Sequence, residues 1–203
     1  MSKFIDLFLL PQKEIEELKR LIIRVKKFNY AVVGLDHDIY GKETFEAFKK
    51  ENIRVIPRTS NLERPKGIYV KYLLLETKKQ ALEKARKFRF DFLTVDLEKI
   101  KELDERLLNF ISQRKINIEI IYKKILEKDP IKEKETFLLL KDTIERCYKK
   151  EIKVFFSSGA SNEKEIRNAI DVASFLKSLG LKKYNIEMTF KVNILKEILK
   201  SEI

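Results

Sequence analysis

Asp36, His37 and Asp38 stand in a row directly after the apolar run YAVVGL, where a strand gives way to a loop. Two carboxylates beside an imidazole are donors for a metal or an acid–base centre. His37 is the only histidine and Cys147 the only cysteine of the 203 residues. Further ligands would have to come from Asp6, Asp96 and Glu187, a set that admits a carboxylate-held Mg²⁺ but not zinc or a multinuclear histidine site. Capping and salt bridging are the ordinary uses of such carboxylates, so the expectation is no catalytic residue and no metal held by the protein. The patterns GxSxG, GxxxxGK and GxGxxG are missing, and a serine nucleophile would have no second histidine to choose from as its base.

A second stretch, VFFSSGASN at 154–162, runs three large apolar residues into small ones. Ser157, Ser158 and Gly159 would let a backbone amide approach an anion, with Asn162 placed to cap a following helix and Glu165 completing a capping-box pattern. The plain alternative is a tight strand-to-helix turn. The chain carries 44 Lys and Arg against 32 Asp and Glu, a net charge of +12. Such an excess suits a polyanionic partner, while enrichment in Lys, Glu and Ile also fits a heat-adapted, thermophilic surface. Basic residues gather beside expected loops. Arg58, Arg64, Lys66, Arg89, Lys123, Lys124 and Arg167, together with Ser157 and Ser158, are the candidate RNA contacts. Phe88, Tyr122, Tyr148 and Tyr184 either stack on unpaired bases or complete the core.

The elements that must position these residues alternate along the chain. Short β-rich runs begin at Phe4, Tyr30, Ile53, Ile68, Asp91, Asn117, Lys153 and Tyr184, and helical patterns lie between most of them. Ile15, Leu18, Ile22 and Val25 mark one helical stripe; Ile166, Ala169, Ile170 and Ala173 mark another. About eight strands alternating with helices predict an α/β fold with a parallel sheet, a small and irregular (β/α)8 or TIM-like barrel forming one domain over 1–203. The irregularity is RTSNLERPKG, which is too short and too rich in turn formers for a crossover helix. In such barrels sites form at the carboxyl ends of the strands, which puts Asp36–Asp38 and Ser157–Ser161 on that rim. A single cysteine fits a reducing, cytoplasmic setting, and no apolar run approaches the ~20 residues of a membrane helix. The start MSKFIDLFLLPQKE does not have the form of a signal peptide.

Five segments carry a resemblance: FIDLFL, VVGLDHD, RTSN, FFSSGA, and IRNAIDVASFLKSLGL with Ile166, Arg167, Asp171, Leu179 and Gly180. Over essentially its whole length the chain resembles the archaeal ribonuclease P protein component 3 family, relatives of the 30-kilodalton subunit of the eukaryotic enzyme. FFSSGA with the helix after it is the most specific part. Ala169 departs from the proline usual two residues after the helix arginine, which puts the start of that helix in question. The resemblance implies a barrel similar to phosphoesterases of the polymerase-and-histidinol-phosphatase type but lacking their full ligand set. It implies a subunit of the endonuclease that removes 5′ leaders from precursor tRNA, assisting the catalytic RNA. Mg²⁺ would sit on the RNA subunit, and the partners would be ribonuclease P RNA, precursor tRNA, protein component 2 and other protein subunits. The competing expectations are a stand-alone carboxylate-metal phosphoesterase and a phosphate-ligand-binding protein that never meets RNA.

Overall fold

The computed structural model describes residues 4–12, 14–63, 69–123 and 133–181. Seven strands among them follow chain order in one parallel sheet: β1 (Phe4–Leu9), β2 (Tyr30–Asp36), β3 (Arg54–Thr59), β4 (Val70–Leu74), β5 (Phe92–Asp96), β6 (Asn117–Ile121) and β7 (Val154–Ser157). Helices α1 (Ile15–Lys27), α2 (Lys42–Lys50), α3 (Lys78–Lys87), α4 (Glu105–Arg114), α5 (Lys134–Lys149) and α6 (Ala169–Ser178) accompany them, with a 3-10 turn at Leu97–Glu102. The eighth expected strand, at Tyr184, lies outside the described residues. β3 and β4 pair in parallel through Arg58↔Val70 and Thr59↔Lys71, so the irregular unit stays within the barrel wall.

The sheet curls until β7 meets β1. Gly159 N donates to Phe8 O (2.9 Å), Leu10 N to Ala160 O (2.9 Å) and Gln12 N to Ser161 O (3.1 Å). The same segment also pairs with the end of β6, whose Tyr122 N donates to Ser157 O (2.9 Å). Residues 157–161 therefore lie between two neighbours, and their small side chains let both backbones approach.

Alternation along the strands divides the core in two. Leu9, Val33, Leu35, Leu93, Val95, Ile118, Ile120, Val154 and Phe156 pack with the helices, and Ile5, Leu7, Val32, Ile56, Val70, Tyr72, Phe92 and Phe155 form a second, smaller cluster. Period-two patterning produces this division in a sheet covered on one face and closed on the other. The helical stripes are rotated slightly from those expected. Leu21, Ile22 and Val25 are buried on α1 and Ala169, Val172 and Leu176 on α6, while Ile15 and Ile170 are exposed. The helices are also polarised: α1, α2, α4 and α5 have acidic first turns, and all four and α3 have basic last turns. No helix among the described residues is long and apolar enough to cross a membrane.

Candidate functional site: a charged barrel interior and two rims

Arg58 overturns its expected role as a surface contact. It is fully buried, with its guanidinium bound to both carboxylate oxygens of Glu119 at 2.9 and 2.7 Å. Thr94 Oγ1 donates to Glu119 Oε2 and Ser157 Oγ to Glu119 Oε1, each at 2.7 Å. Arg58 also donates to the carbonyl of Leu7, and its charge lies 4.5 Å from the ring centre of Tyr72 and 5.0 Å from that of Phe8. One ion pair thus ties β1, β3, β5, β6 and β7 together inside the barrel. Gly34 makes room for it, because a Cβ there would lie 2.0 Å from Leu7 O and 2.7 Å from Arg58 Cδ.

Ser157 and Ser158 are likewise buried, which corrects their expected contact with RNA. Ser157 Oγ accepts from Leu7 N (3.2 Å) as it donates to Glu119. Ser158 N donates to Asp6 Oδ1 (3.0 Å), and Ser158 Oγ accepts from Ala160 N (3.0 Å). Their small size serves the β7–β1 seam and the ion pair beneath it. Glu119, a lone charge between the buried Ile118 and Ile120 in NIEIIY, was the sequence signal for this pair, since a charge flanked by buried apolar neighbours needs an internal partner; Arg58, between Pro57 and Thr59, carries no such signal.

Asp6 lies at the same seam. Its Oδ1 accepts from Phe8 N and Ser158 N, whereas its Oδ2 is buried and accepts no hydrogen bond. Burial is the main cause that raises its pKa to about 7, against the opposing pull of the Ser158 and Phe8 hydrogen bonds. Nearby Tyr30 donates to Arg167 O (2.9 Å), and burial holds the Tyr30 and Tyr122 phenols well above their usual range.

The DHD triplet does lie at the carboxyl end of β2. Asp36 is buried, takes the Tyr72 hydroxyl and accepts from Asp38 N (2.8 Å), while Asp38 takes the Thr59 hydroxyl. The His37 ring packs edge-on against Tyr69, with centroids 4.9 Å apart. Among the described residues no three His, Cys, Asp or Glu side chains converge in a way that could hold a metal ion, and Glu187 lies outside them.

The turn after β7 differs from the expected capping box. Glu165 does reach back to Ser161 N (2.7 Å) and Oγ (2.8 Å), but residues 163–165 form a turn, with Lys164 N donating to Asn162 Oδ1 (3.0 Å) and Glu165 N to Asn162 O (3.3 Å). Asn168 caps α6 instead, accepting from Ile170 N at 3.0 Å. Lys123 bridges Glu165 at 2.7 Å. Although burial opposes ionisation of Glu165, Lys123 and Ser161 outweigh it and lower that pKa to about 2. Arg167 precedes α6, with its guanidinium bonded to the carbonyls of Lys164 and Ile166. Lys123 and Arg167 are thus engaged in holding the 161–168 loop. Arg89 is exposed on the opposite rim, between α3 and β5. Arg64, Lys66 and Lys124 lie outside the described residues.

This architecture defines a small TIM-like α/β barrel locked by an internal ion pair. The family model described as RNase P subunit p30 matches residues 73–201, and the chain belongs to that family. It is 24% identical over 194 residues to Ribonuclease P protein component 3 of Methanocaldococcus jannaschii, covering 83% of this chain and 78% of that protein. In fold it is similar to a chain in the cryo-EM structure of archaeal ribonuclease P with mature tRNA (TM-score 0.65, 18% identity, 97% of this chain and 90% of that one). It is also similar to an amidohydrolase (TM-score 0.55, 9% identity, 98% of this chain and 74% of that one).

Proposed function

We propose that this chain, as one barrel domain over residues 1–203, is a protein subunit of the ribonuclease P that removes 5′ leaders from precursor tRNA. It assists the catalytic RNA and supplies no catalytic group itself. Membership of the RNase P subunit p30 family carries this reading. The filled interior supports it: Arg58, Glu119, Tyr72 and Asp36 bond to one another or to the wall, so the mouth of the barrel is occupied by the protein's own side chains. Mg²⁺ belongs to the RNA subunit, the partners are the RNA, precursor tRNA, component 2 and further protein subunits, and the particle works in the cytoplasm. Arg89 is the described, exposed candidate for RNA contact, and Arg64, Lys66 and Lys124 remain candidates beside it.

Reconstitution tests the assignment. Purified chain, RNA subunit and component 2 are mixed, and cleavage of precursor tRNA is followed as Mg²⁺ is lowered. The complete mixture should stay active at Mg²⁺ concentrations where omission of this chain slows cleavage at least tenfold. Equal rates with and without the chain would overturn the assignment. So would hydrolysis of a generic phosphodiester by the pure protein with Mg²⁺ or Mn²⁺ that disappears in Asp36→Ala.

A further inference from the structure

Helices of a parallel barrel run back against their strands, so their C-termini collect on the rim where strands begin. A dense cluster of positive charge lies there where α3 and α4 end side by side. Lys84, Arg86 and Lys87 occupy the last turn of α3, Arg89 the link to β5, Arg114 the last turn of α4, and Lys115 the position after it. All six are exposed. The two links are joined, because Asn117 N and Nδ2 both donate to Asp91 O (3.0 and 3.2 Å) and Arg114 Nη2 donates to Arg86 O (3.3 Å). Extended backbone at Phe88 (φ −122°, ψ 156°) and burial of Phe90 leave Arg89 facing outward. Two carboxylates lie nearby against six basic side chains: Asp91, which accepts from Lys71 N (2.8 Å), and Glu83, one turn back on α3.

Two features exceed what the helix dipole requires. Arg89 belongs to no helix, so no helix terminus accounts for its charge. Lys115 occupies left-handed backbone (φ 55°), a conformation that glycine or asparagine adopts more easily. The corresponding positions after α1, α2 and α5 hold Asn29, Asn52 and Glu151 (φ 61°, 59° and 59°), so the turn itself does not call for lysine.

We infer that this amino-terminal rim, centred on Arg89 and Lys115, is a docking surface for the phosphate backbone of RNA. The inference rests on the ribonuclease P reading and deepens it by moving the RNA-facing side away from the carboxyl rim. A protein partner would want an apolar centre. The exposed large hydrophobics Ile15, Ile23, Ile39, Leu74, Leu138 and Ile170 all lie on other elements. Crowded arginine forks and lysines match a polyphosphate, recognised without regard to sequence.

The test measures binding of a ribonuclease P RNA transcript, with component 2 present, across a salt series. The triple variant Lys87→Gln/Arg89→Gln/Lys115→Asn spares the mutual contact of Arg86 and Arg114; Lys123→Gln/Arg167→Gln probes the carboxyl rim. The triple should lose at least tenfold in affinity, with a logarithmic salt slope shallower by about 2, at ~0.7 to 0.9 per lost contact. The carboxyl-rim pair should keep the parent's slope. Lys115→Asn alone retains a residue type that the fold uses at the same position elsewhere, and it should flatten the slope by about 0.7 with unchanged melting. A triple variant with the parent's slope would overturn the inference and leave the family reading standing. Loss of component 2 binding with the slope intact would assign the patch to an acidic protein surface and overturn the RNA docking. A parent protein that fails to bind the transcript at all would sink the ribonuclease P reading together with this one.

Discussion

Arg58 and Glu119 hold opposite charges on side chains with no surface exposure, and each is tolerable only because the other is there. Removing one partner leaves an uncompensated buried charge, which costs ~3 to 5 kcal/mol, while replacing both with apolar residues is often close to neutral. Arg58→Met should therefore lower unfolding free energy by about that amount, and Arg58→Met/Glu119→Leu should recover most of it. Recovery should be incomplete, because Thr94 and Ser157 lose their acceptor. Denaturant titration of the three proteins checks this, and a double variant as unstable as the single one would refute the coupling. Asp6 acts through pH. Its folded pKa of about 7 stands above the ordinary 3.8, so the native state holds the proton more tightly. The associated stability is complete below about pH 4, falls as pH rises and is gone above about 7. Asp6→Asn keeps an acceptor for the amides of Phe8 and Ser158 and removes the ionisation. The variant should gain on the parent between pH 4.5 and 8, by up to about 4 kcal/mol. A constant difference across that window would show that the carboxyl is solvated.

At the scale of elements, the seam between β7 and β1 decides whether a curled sheet becomes a barrel. Gly159 is its tightest point. Its φ of +66° is left-handed, and a Cβ there would meet Ile121 Cγ2 at 2.6 Å. Gly159→Val adds β-branching in that conformation and should destabilise by roughly 1 to 3 kcal/mol. Thermal melting would settle the point, since a variant that melts with the parent would deny the constraint. The strand itself was legible, because VFF is apolar and the small residues mark its end. The occupant of the space was not: a short run of small residues looks the same beside an anion and beside another strand. The start of α6 was misplaced for a related reason. Asn162 and Asn168 are both acceptable caps, and the choice between them depends on Glu165 being held by Lys123 and on Arg167 O being taken by Tyr30, both distant in sequence.

For the whole molecule, the sequence determined what depends on local pattern. Short apolar, β-rich runs placed seven strands within a residue or two, alternation with helices implied a parallel barrel, and the charge count required a surplus of positive surface. Which rim would carry that surplus follows from parallel pairing, since helices that return against their strands bring their basic last turns to one side and their acidic first turns to the other. The tertiary structure alone decided that Arg58 faces inward and Arg89 outward. Both are arginines near strand ends, and nothing within a few residues distinguishes them. The distinction comes from Glu119, 61 residues away from Arg58, and from Gly34, which leaves the guanidinium stem its space. A charge is buried or solvated according to the partner that the fold brings to it, and that partner belongs to another strand.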